Sequence, residues 1–115
     1  MTTLTMPEWV DGPAREVPQD ECLRVTVPTL FYDDHVMREL AAGHVVKAGR
    51  YVTTVWLDTV ALDDLIGDAD YYAGFSGEDY SWNRSTCDSA KRTLAALRKQ
   101  TPETFIDRQS VWNHS

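Results

Sequence analysis

Residues 29–75 read TLFYDDHVMRELAAGHVVKAGRYVTTVWLDTVALDDLIGDADYYAGF. Apolar positions recur at helical spacing over Thr29–Leu40, alternate over Tyr51–Leu57, and return to helical spacing over Thr59–Phe75. A period that changes from 3.6 to 2 and back within one stretch predicts a mixed α and β domain. Thr29 suits an N-cap and Gly43 a helix end. His44–Lys47 and Arg50–Leu57 form a hairpin around Ala48-Gly49, closed by a two-residue turn or a four-residue loop. A strict two-residue turn would set Lys47 against Arg50, which like charges disfavour. In the second strand Tyr51, Thr53, Val55 and Leu57 share one face, while Val52, Thr54 and Trp56 share the other. Apolar groups on both faces mark it as the central strand.

The following helix, Thr59 to about Ala73, is capped by Asp58 or Thr59 and buries Leu62, Leu65, Ile66, Ala69, Tyr72 and Ala73. Upstream, Glu21–Val27 alternates with Leu23, Val25 and Val27 on one side, and Pro28 stops it. Downstream, Ser85 opens a last helix with Asp88 at the third position, a capping-box pattern. Cys87, Ala90, Leu94 and Leu97 give that helix a narrow apolar seam, with Lys91, Arg92, Arg98 and Lys99 on its solvent side. The fold class is therefore α+β: a small three-stranded, mostly antiparallel sheet with three helices, largely on one face. Its core should include Leu23, Val25, Val27, Val55, Leu57, Leu62, Leu65, Ala69, Leu94 and Leu97. Residues 1–19 carry four turn-forming Pro and Gly residues and no sustained period, so they read as an extended arm. Residues 20–101 form the domain, and 102–115 a tail.

With 115 residues, 43% hydrophobic and 25% charged, the chain has the size and composition of one globular domain. Net charge is −7, unevenly spread: 15 acidic and 5 basic residues precede Ser81, whereas 3 acidic and 6 basic residues follow Tyr80. Nucleic-acid phosphates and anionic membranes both need basic surfaces, so neither is an expected partner. Met1–Val10 lacks the basic start and apolar run of a signal segment, which points to the cytoplasm. Outside secretion, Cys22 and Cys87 are expected as two half-buried free thiols.

Asp33, Asp34 and His35 cannot converge on one ion, because consecutive helical residues point about 100° apart. His35 and Glu39 lie one turn apart without a second ligand cluster, and His35 reads as a surface or half-buried side chain. Asp68-x-Asp70 fails the register of a calcium loop, with Ala73 where glycine is required. Ser76 is one residue short of a nucleophile elbow. The residues thus point to a non-enzymatic protein with no metal and no cofactor.

Asp63, Asp64, Asp68 and Asp70 occupy the polar side of one helix, and Asp64 and Asp68 repel at one-turn spacing. With Tyr71, Phe75 and Trp82 they form the expected protein-binding surface. An acidic nucleic-acid mimic is the alternative, and an unrecognised enzyme a further one. Trp9 and Trp112 near the ends, beside a cluster of Tyr71, Phe75, Tyr80 and Trp82, leave two outlets for the aromatic surface. One is a homodimer in which an arm or tail covers its neighbour; the other is docking of both termini on their own domain.

Through Phe31-Tyr32-x-Asp34-His35-x-x-Arg38-x-Leu40, then Tyr51-Val52, then Leu65-x-x-Asp68-Ala69-x-Tyr71-Tyr72, the chain resembles small uncharacterised proteins of actinobacteria and their bacteriophages. The resemblance spans about residues 23 to 100. It implies a cytoplasmic accessory factor, bacteriophage-encoded, that binds a host or bacterial protein. It implies no activity and transfers no catalytic residue.

Overall fold

The computed structural model describes residues 2–6, 14–38, 42–74 and 84–102. In chain order the elements are β1 (Thr3–Met6), β2 (Arg15–Pro18), a 3-10 turn (Gln19–Glu21), β3 (Leu23–Pro28), α1 (Thr29–Arg38), β4 (His44–Ala48), β5 (Val52–Leu57), α2 (Thr59–Ala73) and α3 (Arg84–Gln100). The main sheet is antiparallel in the order β3-β5-β4, so the strand with apolar residues on both faces is the central one. Val25 and Val27 of β3 and Val55 and Leu57 of β5 point into the core against Phe31, Leu62, Leu65, Ala69, Ala90 and Leu97. This is the expected α+β arrangement.

The N-terminal segment departs from the expected arm. β1 and β2 pair antiparallel as a second sheet, from Thr3↔Pro18 to Met6↔Arg15. Leu4 and Met6 are buried. The pair is fastened to the domain at Asp58, whose carboxylate takes Arg15 in two places, Nη2 to Oδ1 at 2.9 Å and Nε to Oδ2 at 3.2 Å. The same Asp58 Oδ1 accepts from Ala61 N–H at 2.9 Å and so caps α2. Capping removes one orphan donor of the first turn, and the bidentate guanidinium adds a charge-assisted clamp.

Thr29 does not cap α1. Its hydroxyl donates to Gly49 O at 2.8 Å and lies 2.8 Å from the Thr53 hydroxyl, tying the start of α1 to the hairpin loop. That loop is Gly49–Tyr51, three residues, with Gly49 N–H donating to Val52 O at 2.9 Å. Gly43 is buried against β5. A β-carbon at 43 would lie 2.5 Å from Trp56 O and 2.6 Å from the side chains of Val55 and Leu57. Only a residue without a side chain lets the backbone run this close to β5.

Both edges of the main sheet are protected, by different devices. On β3, Thr26 N–H donates to Gln100 Oε1 and Gln100 Nε2 donates to Thr26 O, each at 2.8 Å. The carboxamide thus takes the place of a neighbouring strand. On β4 the register slips between Val45 and Lys47, a bulge that spoils edge-to-edge pairing. α3 meets its expected pattern at Cys87, Ala90 and Leu97, which are buried, while Leu94 and Leu23 of the expected core are half-buried. Phe31 and Tyr32, absent from the expected core, are fully inside it. Among the described residues no helix is long and apolar enough to cross a membrane.

Candidate functional site

The four aspartates of α2 do not share one face. Asp70 is exposed, Asp63 and Asp64 are half-buried, and Asp68 is buried. The reason is helical geometry: Ala61, Leu65, Asp68 and Tyr72 are spaced 4, 3 and 4 apart, so Asp68 stands in the inward stripe. On α1 the inward residues are Phe31, Tyr32 and His35, and His35 is 1% exposed. The expectation of a surface or half-buried histidine is therefore corrected.

These two misplaced polar residues find each other. His35 Nδ1 lies 2.8 Å from Asp68 Oδ2 in a buried hydrogen bond. Its other nitrogen, Nε2, lies 3.6 Å from Asp64 Oδ2, beyond hydrogen-bond reach but within Coulombic range. The bond joins an imidazole nitrogen to a carboxylate, which accepts the hydrogen when it is ionised. Asp64 and Asp68, expected to repel one turn apart, instead flank one imidazole. Phe31 stacks on the ring at 6.4 Å and meets Tyr72 edge-on at 6.2 Å, closing the pair in an aromatic box.

Outside this box Asp63, Asp64, Gly67, Asp68, Tyr71 and Tyr72 line a cleft of about 360 Å³. Gly67 has open space where a side chain would be, so it contributes backbone to this wall. Asp63 Oδ1 and Asp64 Oδ2 are buried without a hydrogen-bond partner among the described residues. Burial pushes the Asp63 carboxyl above the usual carboxylate range. Tyr71, 64% exposed, packs edge-on against Tyr72 at 5.3 Å. The structure thus brings together Asp63, Asp64, Asp68 and Tyr71 of the expected surface and leaves Asp70 apart from the cleft. Phe75 and Trp82 lie outside the described residues, as do Trp9, Glu39, Ser76, Tyr80 and Trp112.

Sequence reasoning missed His35 as a partner of Asp68. The usable signal was that each sat at a core position of its own helix, where a charged residue needs an opposite number. Among the described residues no group of three or more His, Cys, Asp or Glu is placed to hold a metal ion. Lys91, Arg92, Arg98 and Lys99 of α3 are all exposed. No family model, curated protein or solved structure matches the chain.

Proposed function

We propose that this chain is a non-enzymatic interaction protein of the cytoplasm, a bacteriophage accessory factor that binds a host or bacterial protein through α2. One observation carries the reading: α2 directs Asp63 and Asp64 into a cleft and buries one oxygen of each without a hydrogen bond among the described residues. Each such oxygen costs roughly 1–3 kcal/mol. The Asp64 oxygen faces His35 Nε2 at 3.6 Å, whereas the Asp63 oxygen has no donor among the described residues, and a partner docked in the cleft would supply one. Asp70 and Tyr71 extend the same helix into solvent. An amphipathic aromatic ring beside carboxylates is the composition of an interface anchor.

The non-catalytic reading draws support from His35. Both its nitrogens face carboxylates and its ring is 1% exposed, so it is poorly placed to exchange protons with a substrate. Interaction is favoured over nucleic-acid mimicry because Asp68 is withdrawn into the His35 pair. Mimicry would call for all four charges on the surface.

Affinity capture from the natural host tests the reading. A triple variant, Asp63→Asn, Asp64→Asn and Asp70→Asn, and separately Tyr71→Ala, should lose the captured protein. Lys91→Gln with Arg92→Gln on α3 should retain it. A partner held equally by all variants would place binding elsewhere.

A further inference from the structure

Asp58 stands where two elements meet. It immediately precedes α2, and it is buried. One of its oxygens, Oδ1, accepts from the Ala61 N–H in the first turn of α2 and from Arg15 Nη2, each at 2.9 Å. The other, Oδ2, accepts from Arg15 Nε at 3.2 Å. A carboxylate free to rotate would share that cap with water. The guanidinium fork bonds both oxygens at once and so holds the rotamer in which Oδ1 faces Ala61. Arg15 is thus a positioning residue for the cap of a distant helix.

Arg15 belongs to the β1–β2 hairpin, which has little means of standing alone. Two strands of four residues are marginal in water without support from a packed face. Leu4 and Met6 are buried, yet neither belongs to the apolar core built by β3, β5 and the helices. Beside the Arg15 clamp, the described contacts of the hairpin with the main sheet include an exposed one, His44 Nδ1 at 3.2 Å from Thr5 O. A segment whose apolar residues sit outside the main core opens at lower free energy than the whole domain.

We infer that the β1–β2 hairpin is a strap whose seating sets the N-terminal cap of α2, with Asp58 as the shared fastening. With the strap seated, Arg15 locks the Asp58 carboxylate and the first turn of α2 is closed. When the strap lifts, the carboxylate loses its fork and the Ala61 N–H loses a fixed acceptor. Asp63 and Asp64 follow directly after that first turn, so the strap governs the order of the helix end that carries them. The coupling rests on the geometry of Asp58 and holds whatever α2 binds.

Amide hydrogen exchange on the full chain tests it, with Arg15→Gln and Asp58→Asn. In the unmodified protein the β1–β2 ladder amides, and the Gln19 N–H bonded to Thr2 O, should exchange faster than the ladder amides of β5. Their opening should also be less sensitive to denaturant than global unfolding is. Either variant should speed the hairpin amides by about 5–30-fold, as loss of a charge-assisted bond does. Arg15→Gln leaves Asp58 in place, yet it should speed exchange of the Ala61 amide as well. Hairpin amides that exchange only together with β5, through global unfolding, would overturn the strap. An Ala61 amide unchanged in Arg15→Gln would overturn its hold on the cap.

Discussion

The last two helices pose the same question and answer it differently. α2 and α3 each carry charge on one side and apolar residues on the other. On α3 the charges of Lys91, Arg92, Arg98 and Lys99 all face solvent, as an amphipathic pattern requires. On α2 the charges divide. Asp70 goes out, Asp63 and Asp64 line a cleft, and Asp68 goes in to meet His35. The difference lies in phase. The α3 cations occupy positions that avoid the stripe through Cys87, Ala90 and Leu97, whereas Asp68 falls in line with Leu65 and Tyr72. Charge alone does not place a residue outside; its position in the helical period does, and the fold then has to supply a counterpart.

That contrast ranks the consequences of mutation. The largest effect is expected from His35→Phe, which leaves the Asp68 carboxylate buried without its imidazole. Breaking a buried pair from one side costs about 3–5 kcal/mol, and denaturant unfolding should show it. By contrast, Lys91→Gln on α3 should change stability by no more than about 0.5 kcal/mol, as exposed substitutions do.

Leu65→Ala should cost about 2–5 kcal/mol through lost transfer energy and a residual cavity. Leu65 is fully buried in the same stripe as Asp68. A melt like the parent's would mean that α2 turns a different face to the core.

The elements that were legible from sequence had their determinants nearby. α2 spans Thr59–Ala73 with Asp58 as its cap because cap, stripe and stop are all local. β5 was legible as central from its two-faced pattern. The packing role of Gly43 was hidden because a glycine after a helix and a glycine pressed on a strand are the same letter; only the approach of β5 reveals it. The pairing of β1 with β2 was hidden by strands of four residues each among prolines. His35 and Asp68 are 33 residues apart, so their bond depends on how α1 and α2 pack. At the candidate site, sequence named Asp63, Asp64, Asp68 and Tyr71, but not the division of labour among them.

Gln100→Ala sharpens the comparison from the α3 side, where the Gln100 carboxamide reaches the sheet at Thr26. The carboxamide also donates to Ala96 O at 3.0 Å, and loss of the two bonds to Thr26 alone, at roughly 0.5–1.5 kcal/mol each, should lower stability by about 1–3 kcal/mol. The uncovered β3 edge should also raise the tendency to aggregate, read by light scattering. Stability and solubility both unchanged would remove Gln100 from its role as an edge guard.

The smallest effect concerns Cys22. Burial, followed by the charges of Asp58, Glu21 and Asp20, pushes its thiol from 9.0 to about 11. The raised value favours the protonated thiol in the folded state. Its stabilising contribution is present below pH 9.0 and is lost as pH rises toward about 11. Alkylation of Cys22 near neutral pH should accordingly be slower than that of an unfolded thiol, by iodoacetamide labelling and mass spectrometry. Equal rates in folded and unfolded protein would contradict this.

The most direct test of the account is a double-mutant cycle on His35 and Asp68, using His35→Phe, Asp68→Leu and the pair together, with stability read by denaturant unfolding. The account predicts that His35→Phe alone is strongly destabilising. It predicts that the double variant, with an apolar group on each side, recovers most of that loss, because replacing a buried polar pair by packed apolar residues is near neutral. Losses that simply add, with no coupling between the two positions, would contradict it and return Asp68 to the solvated face of α2.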